Sequence, residues 1–236
     1  MKTIIVDERL SDACERSLLK EGFFLLKLPA DPSLGEAVAS HPDTVMFYAD
    51  EEIVTTADYC DRAAYIFSDI REYNPNIKIH FTSEKRDKVY PEDCIMNALV
   101  IGNKIFCKAD SISEGITDFA MRRGYRIINT KQGYPSCSVL HFENSAITAD
   151  PGLALTLKKN GVKVTLITQG HISLPPYQYG FIGGASGVVG KTVYFFGDIA
   201  THPDCEKICR AIEDEGYNPI SLSQGELCDF GGIISL

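Results

Sequence analysis

The sequence predicts an α/β fold of five tandem strand–strand–helix–strand units that curl into a ring. Three observations carry this reading: a β-hairpin that recurs and closes on an Asp, a helical stretch after each hairpin that stops at a Gly, and a spacing near 47 residues that divides the 236-residue chain into five. An apolar helix face in a unit this small cannot be buried alone, so the units must pack on one another, and closing them removes exposed sheet edges. An ordinary doubly wound sheet also alternates strands and helices, but it has no need of the recurrent hairpin.

In chain order, Lys2 to Arg9 reads as one strand, SDACERSLLKEG (11–22) as a helix and FFLLKL (23–28) as a strand, so the first unit lacks its opening strand. Pro42 to Asp58 supplies a hairpin, 59–73 a helix and NIKIHF (76–81) a strand. Tyr90 to Asp110 is a hairpin about Gly102-Asn103, followed by a helix over 111–124 and a strand over 125–130. Tyr134 to Asp150 repeats it about Glu143-Asn144, with a helix over 151–161 and a strand over 162–168. Tyr179 to Asp198 repeats it about Gly190-Lys191, with a helix within 199–216 and a strand over 217–223. CDFGGIISL (228–236) begins a further unit and is expected to lend its strand to the first. The hairpin ends Arg9, Asp58, Asp110, Asp150 and Asp198 are 49, 52, 40 and 48 residues apart. Asp110, Asp150 and Asp198 are expected to cap helix N-termini, and Gly124, Gly161 and Gly216 to end the helices.

Composition narrows the function. With 44% apolar and 23% charged residues the chain is globular, and its formal charge of −9 with no Lys/Arg run argues against nucleic acid and anionic membranes as partners. No apolar run is long enough to span a bilayer, and Met1 to Val6 meets Asp7 and Glu8 too soon for a signal peptide, so a cytoplasmic protein is expected. The eight cysteines form no Cys-x-x-Cys pair, which favours reduced, mostly buried thiols over a zinc ribbon. No linker or low-complexity tract divides the chain, and residues 1–236 read as a single domain.

Several residues stand out chemically. His141-Phe142-Glu143 and His41-Pro42-Asp43 are both His-x-acid segments beside strands, and Glu92-Asp93-Cys94 precedes the apolar strand IMNALVIG. Asp229-Phe230-Gly231-Gly232 is glycine-rich near the C-terminus. Cys94, Cys137 and Cys228 occupy related positions, so a soft-metal cluster is geometrically possible, although packing is the simpler reading. His202-Pro203-Asp204 fits a helix start, and Gly183 to Gly187 lacks the Lys-Ser/Thr of a phosphate loop.

The repeat pattern and these segments resemble the penteins, the guanidine-modifying superfamily of arginine and agmatine deiminases, dimethylargininases and amidinotransferases. The resemblance implies a five-bladed α/β-propeller with an acidic group, a His-x-Asp/Glu and a nucleophilic Cys around a central channel, and no cofactor. It assigns His141 as proton carrier, Glu92 as the group orienting it, and Asp93, Glu143 and Asp229 as ligands of a cationic guanidine, with His41 as the rival to His141. The family's nucleophile position falls here near Ser235 or Leu236, which leaves Cys228 as the nearest thiol for that role. A hydrolase or transferase of guanidino or amidine compounds is therefore expected. The alternative is a non-catalytic member that binds a small cation or a protein.

Overall fold

The computed structural model describes residues 2–236, which form five three-stranded sheets. The strands are β1 (Lys2–Asp7), β2 (Phe23–Leu28), β3 (Met46–Ala49), β4 (Glu52–Thr56), β5 (Lys78–Thr82), β6 (Leu99–Ile101), β7 (Lys104–Cys107), β8 (Arg126–Asn129), β9 (Val139–His141), β10 (Ser145–Thr148), β11 (Lys163–Leu166), β12 (Ser186–Val189), β13 (Thr192–Phe195), β14 (Asn218–Ser221) and β15 (Ile234–Ser235). In each of the last four units the first two strands pair antiparallel and the third joins parallel to the second, after a helical crossover. The first unit takes its opening strand from the chain's end: β15 pairs antiparallel with β1, Ile4 opposite Ser235 and Ile5 opposite Ile234.

Turn chemistry sets the hairpin registers. Ile101 faces Lys104 across Gly102-Asn103, and Val189 faces Thr192 across Gly190-Lys191, with positive φ at both glycines. Asp50 and Glu51 take the same left-handed region without glycine, at φ 48° and 59°. The fourth hairpin is looser, with His141 opposite Ala146 across four residues.

The middle strand of each unit is apolar on both faces, and strand alternation explains why. Ile5 packs with Ile53 of the second unit, whereas Ile4 and Val6 pack with Val189 and Tyr194 of the fifth. Val54 meets Ile105, Phe106 meets Ala146, and Ile147 meets Val193. Each of the five larger apolar clusters thus draws on two consecutive units, and one of them joins the fifth unit to the first.

Helix ends correct part of the sequence reading. Asp150 accepts from the Leu153 amide at 2.8 Å as expected, and Asp198 caps a short 3₁₀ turn, Ile199–Thr201. Asp110 is no cap: it pairs with Lys108 on the surface, and Ser113 caps the helix Glu114–Arg123 instead. Gly124 ends that helix in the left-handed conformation. Among the described residues no helix is long and apolar enough to cross a membrane.

One buried ion cluster ties the second unit to the third. Glu52, on β4, has a side chain only 1% exposed and receives Arg122 at 2.9 Å and Arg123 at 2.8 Å from the third unit's helix. Burial alone would raise its carboxyl, but the two guanidiniums prevail and hold it at about 2, from an ordinary 4.5. A depressed carboxyl contributes stability above its unfolded value and loses it as the pH falls toward the folded one. Wild-type protein should therefore lose about 1–3 kcal/mol between neutral pH and pH near 2 through this group, after allowance for the half-exposed arginines. Urea midpoints across that range should show a shallower acid dependence for Glu52→Gln, and identical slopes would refute the assignment.

Candidate active site

Apart from His141 on β9, Glu143 in the turn after it and His202 near a helix start, the residues singled out for chemistry sit on the segments that lead into the first strand of each unit. Proline at the first helical position starts a four-residue turn in two of them, Pro42–Val45 before β3 and Pro135–Ser138 before β9. These turns carry Asp43 and Cys137, and His41 immediately precedes the first turn. Asp93 and Asn97 lie on the segment before β6, Gly183 and Gly184 on that before β12, and Asp229 and Gly231 on that before β15.

Asn97 joins three of these segments. Fully buried, it donates to the Asp43 carbonyl at 3.0 Å and to Cys137 Sγ at 3.3 Å, and accepts from the Ser136 amide at 2.8 Å. The fifth unit closes against the same turn through backbone: Gly184 N–H donates to the Cys137 carbonyl at 2.9 Å. A side chain at Gly183 would run into the carbonyls of Ser136, Cys137 and Val139, and one at Gly184 into the Asp229 carboxylate. Asp229 is itself held by backbone, accepting from Gly231 N–H at 3.0 Å and Phe181 N–H at 2.8 Å.

These segments line a cavity of about 570 Å³ whose walls include His41, Asp93, Cys137 and Asp229, with Tyr90, Tyr134, Tyr177 and Tyr179. Its lining holds a single lysine, Lys88, which is solvent-exposed, and no arginine. A larger cleft of about 940 Å³ lies beside the fifth unit's helix (Cys205–Asp214), but solvent-facing charges of both signs such as Lys207, Arg210 and Glu206 make up much of it. The smaller cavity is where buried polar groups converge, and that convergence marks a chemical site better than size does.

One imidazole nitrogen of His41, one carboxylate oxygen of Asp43 and Cys137 Sγ all lie within 4.8 Å of one another. Burial raises the Asp43 carboxyl to about 7, against the opposing bonds from Cys137, Thr44 and Asn97. Burial likewise lowers the His41 imidazole, opposed by Asp229 and Asp7, and lifts the Cys137 thiol well above its usual range with help from Asp43 and Asp229. On the wall, burial raises Asp93, one of whose oxygens accepts from the Tyr134 hydroxyl while the other has no partner. The site thus gathers a thiol and an imidazole whose charged forms burial disfavours among several carboxyl groups, with Lys88 at its rim as the one cationic side chain of the lining.

The expected site residues divide. Asp93 and Asp229 line the cavity, and of the two rival histidines the lining one is His41. His141 is not among the lining residues: it follows Val139 by two on β9 and pairs with Ala146, both of which pack toward the third unit. Glu92 and Glu143 are exposed, and neither lines the cavity. Cys228 is half-buried, with Sγ 3.6 Å from the Glu226 carbonyl, and also lies outside the lining. No cluster of Cys94, Cys137 and Cys228 forms among the described residues, where His41, Asp43 and Cys137 are the one group of three such ligands in reach. Sequence reasoning missed Asn97 altogether, although a lone amide inside the apolar run IMNALV is the available signal.

The family model described as "Family of unknown function (DUF6873)" matches residues 5–234. The chain belongs to that family. No curated protein matches the sequence. Solved structures do resemble this DUF6873 chain. DDAH from Pseudomonas aeruginosa, a mutant complexed with citrulline, superposes with a TM-score of 0.56 at 12% identity, covering 94% of this chain and 92% of that one. An amidinotransferase of the saxitoxin pathway from Microseira wollei gives 0.56 at 11% identity, covering 94% and 89%. C. jejuni agmatine deiminase gives 0.55 at 7% identity, covering 94% and 87%. These neighbours are penteins, and the DUF6873 chain shares their fold.

Proposed function

We propose that the five units close as a five-bladed propeller and that the cavity among their leading segments is the active site of a hydrolase or amidinotransferase for guanidino- or amidine-bearing small molecules. One observation carries the reading: the reactive atoms of His41, Asp43 and Cys137 gather within 4.8 Å beside a cavity whose buried charge is carboxylate. A planar cation suits such a pocket, because carboxylates accept its N–H groups in pairs and keep its charge matched once water is excluded. Asp93, with its free buried oxygen, is the first candidate to receive the guanidinium, and the Asp229 charge stands beside it.

Cys137 Sγ then attacks the guanidinium carbon, because a sulfur nucleophile is far stronger than a hydroxyl in this chemistry. The thiol proton passes to the neighbouring Asp43 carboxylate, within 4.8 Å, and His41 handles the proton of the departing amine. The resulting thiouronium is resolved by water to a urea, or by an acceptor amine to a new guanidine, and the thiol is restored. The proton carrier and nucleophile assigned by resemblance to His141 and Cys228 pass in this scheme to His41 and Cys137. The neighbours support the substrate class by what they are named for, and the chain's order of residues, with the His-x-Asp segment first and the Cys in the fourth unit, departs from the family's.

A chloroacetamidine probe tests this, since it delivers an amidinium cation beside the nucleophile. The expected result is one adduct per chain on Cys137, mapped by peptide mass spectrometry, formed faster than with neutral chloroacetamide and slowed in His41→Ala. Adducts placed first on Cys228 would move the nucleophile to the C-terminal segment, and slow adducts spread over several cysteines would overturn the reaction and leave non-catalytic cation binding.

A further inference from the structure

His41 poses a question that guanidine chemistry does not answer. Its side chain is fully buried, and both ring nitrogens lack a hydrogen-bond partner: Nε2 stops 3.7 Å from Asp7 Oδ2 and Nδ1 stops 3.8 Å from Asp229 Oδ1. A buried, unpartnered imidazole is costly and calls for a ligand. The Asp43 carboxylate and the Cys137 sulfur also come within 4.8 Å of one of its nitrogens, and neither gives it a hydrogen bond.

We infer that His41, Asp43 and Cys137 form a three-ligand site for a thiophilic divalent cation of the zinc type, with its fourth position open to the cavity. Sulfur, imidazole nitrogen and carboxylate oxygen are the donor set zinc accepts, and three protein ligands with one free position is its open arrangement. Tetrahedral zinc places its ligand atoms roughly 3.3–3.8 Å apart. The three atoms, within 4.8 Å of one another, therefore need to close by about 1.5 Å at most.

The surroundings are those of a supported site. A ligating imidazole holds its tautomer by donating its other N–H to a carboxylate. Asp7 stands at Nε2 for that purpose, itself fixed by Arg9 at 2.6 Å and by the Ser40 hydroxyl at 2.7 Å, which leaves Nδ1 for the metal. Asn97 Nδ2 donates to Cys137 Sγ and steadies a thiolate. Binding forms the metal–sulfur bond as the S–H bond breaks, the proton leaves to solvent, and no oxidant or reductant is needed. A metal there occupies the sulfur that the proposed reaction uses, so zinc and a guanidinium exclude each other. That last consequence rests on the proposed function, whereas the metal site does not.

Cobalt(II) is the probe, titrated into tag-free, metal-stripped full-length protein. The expected result is one equivalent bound, with sulfur-to-cobalt charge transfer in the near ultraviolet and the intense visible bands of tetrahedral cobalt, both discharged by zinc. Cys137→Ser should remove the charge-transfer band, and His41→Ala should weaken binding by about 100-fold or more. A Cys205→Ser/Cys209→Ser double variant, altered only on the outer helix, should leave the spectrum unchanged. Absence of a stoichiometric cobalt–sulfur band in wild-type protein overturns the site, as does a band that survives Cys137→Ser or vanishes in the Cys205/Cys209 variant. Activity plays no part in this readout. Chloroacetamidine labelling of Cys137 without a cobalt band sinks the metal site alone, and a cobalt band without labelling sinks the guanidine reading alone.

Discussion

Cys137→Ala is expected to abolish release of amine or ammonia from guanidino substrates, by at least about 10³-fold in kcat/KM, because no second thiol lines the cavity. The comparison that gives the result meaning is Cys228→Ala. That thiol is half-buried outside the lining and should leave turnover within about twofold of wild type. Asp43→Asn keeps the shape of the side chain and removes its capacity to take the thiol proton, so it should lower kcat by about 10²-fold or more with little change in KM. A Cys137→Ala protein that still turns over guanidines, with Cys228→Ala inactive, would return the nucleophile to the C-terminal segment.

Asn97→Ala should be the most damaging single change to the fold around the site. It removes a buried amide that makes three hydrogen bonds across the second, third and fourth units, and strands the Ser136 amide and the Asp43 carbonyl. Each buried group left without a partner costs about 1–3 kcal/mol, and the cavity adds to it, so a loss of about 3–5 kcal/mol is expected in urea denaturation. Asn97→Asp is the informative companion. It keeps the volume but sets a carboxylate against Cys137 Sγ in place of a donor, and should slow chloroacetamidine labelling beyond what its loss of stability explains. Wild-type stability in Asn97→Ala would show that the leading segments are held by their strands alone.

The architecture was legible because its signals are local and repeated. A two-residue hairpin needs Gly102-Asn103 or Gly190-Lys191, a helix end needs Gly124, and a unit begun at Cys228 and never finished points to the strand missing beside Lys2 to Asp7. Asp110 misled because an Asp after a hairpin resembles a cap, whereas the helix starts three residues later behind Ser113.

The site was legible only in its ingredients. Acidic residues, a His-x-acid segment and a cysteine could be picked out, but choosing between His41 and His141 requires knowing which way each one faces. Alternation with Val139 was the available clue that His141 belongs to a junction between units. Cys137 read as packing and Asn97 drew no reading at all, yet burial is what lets Asn97 hold three segments together. Convergence of five leading segments is long-range geometry, which no local spacing encodes.

Pairing of Ile5 with Ile234 has a consequence for biogenesis. The partners are 229 residues apart, so the first unit's sheet cannot close until the segment carrying β15 has been made. Asp229 and Gly231 arrive with that same segment. A nascent polypeptide that stops short of this segment therefore carries His41 and Cys137 without Asp229, and the cavity wall is completed only when that segment arrives.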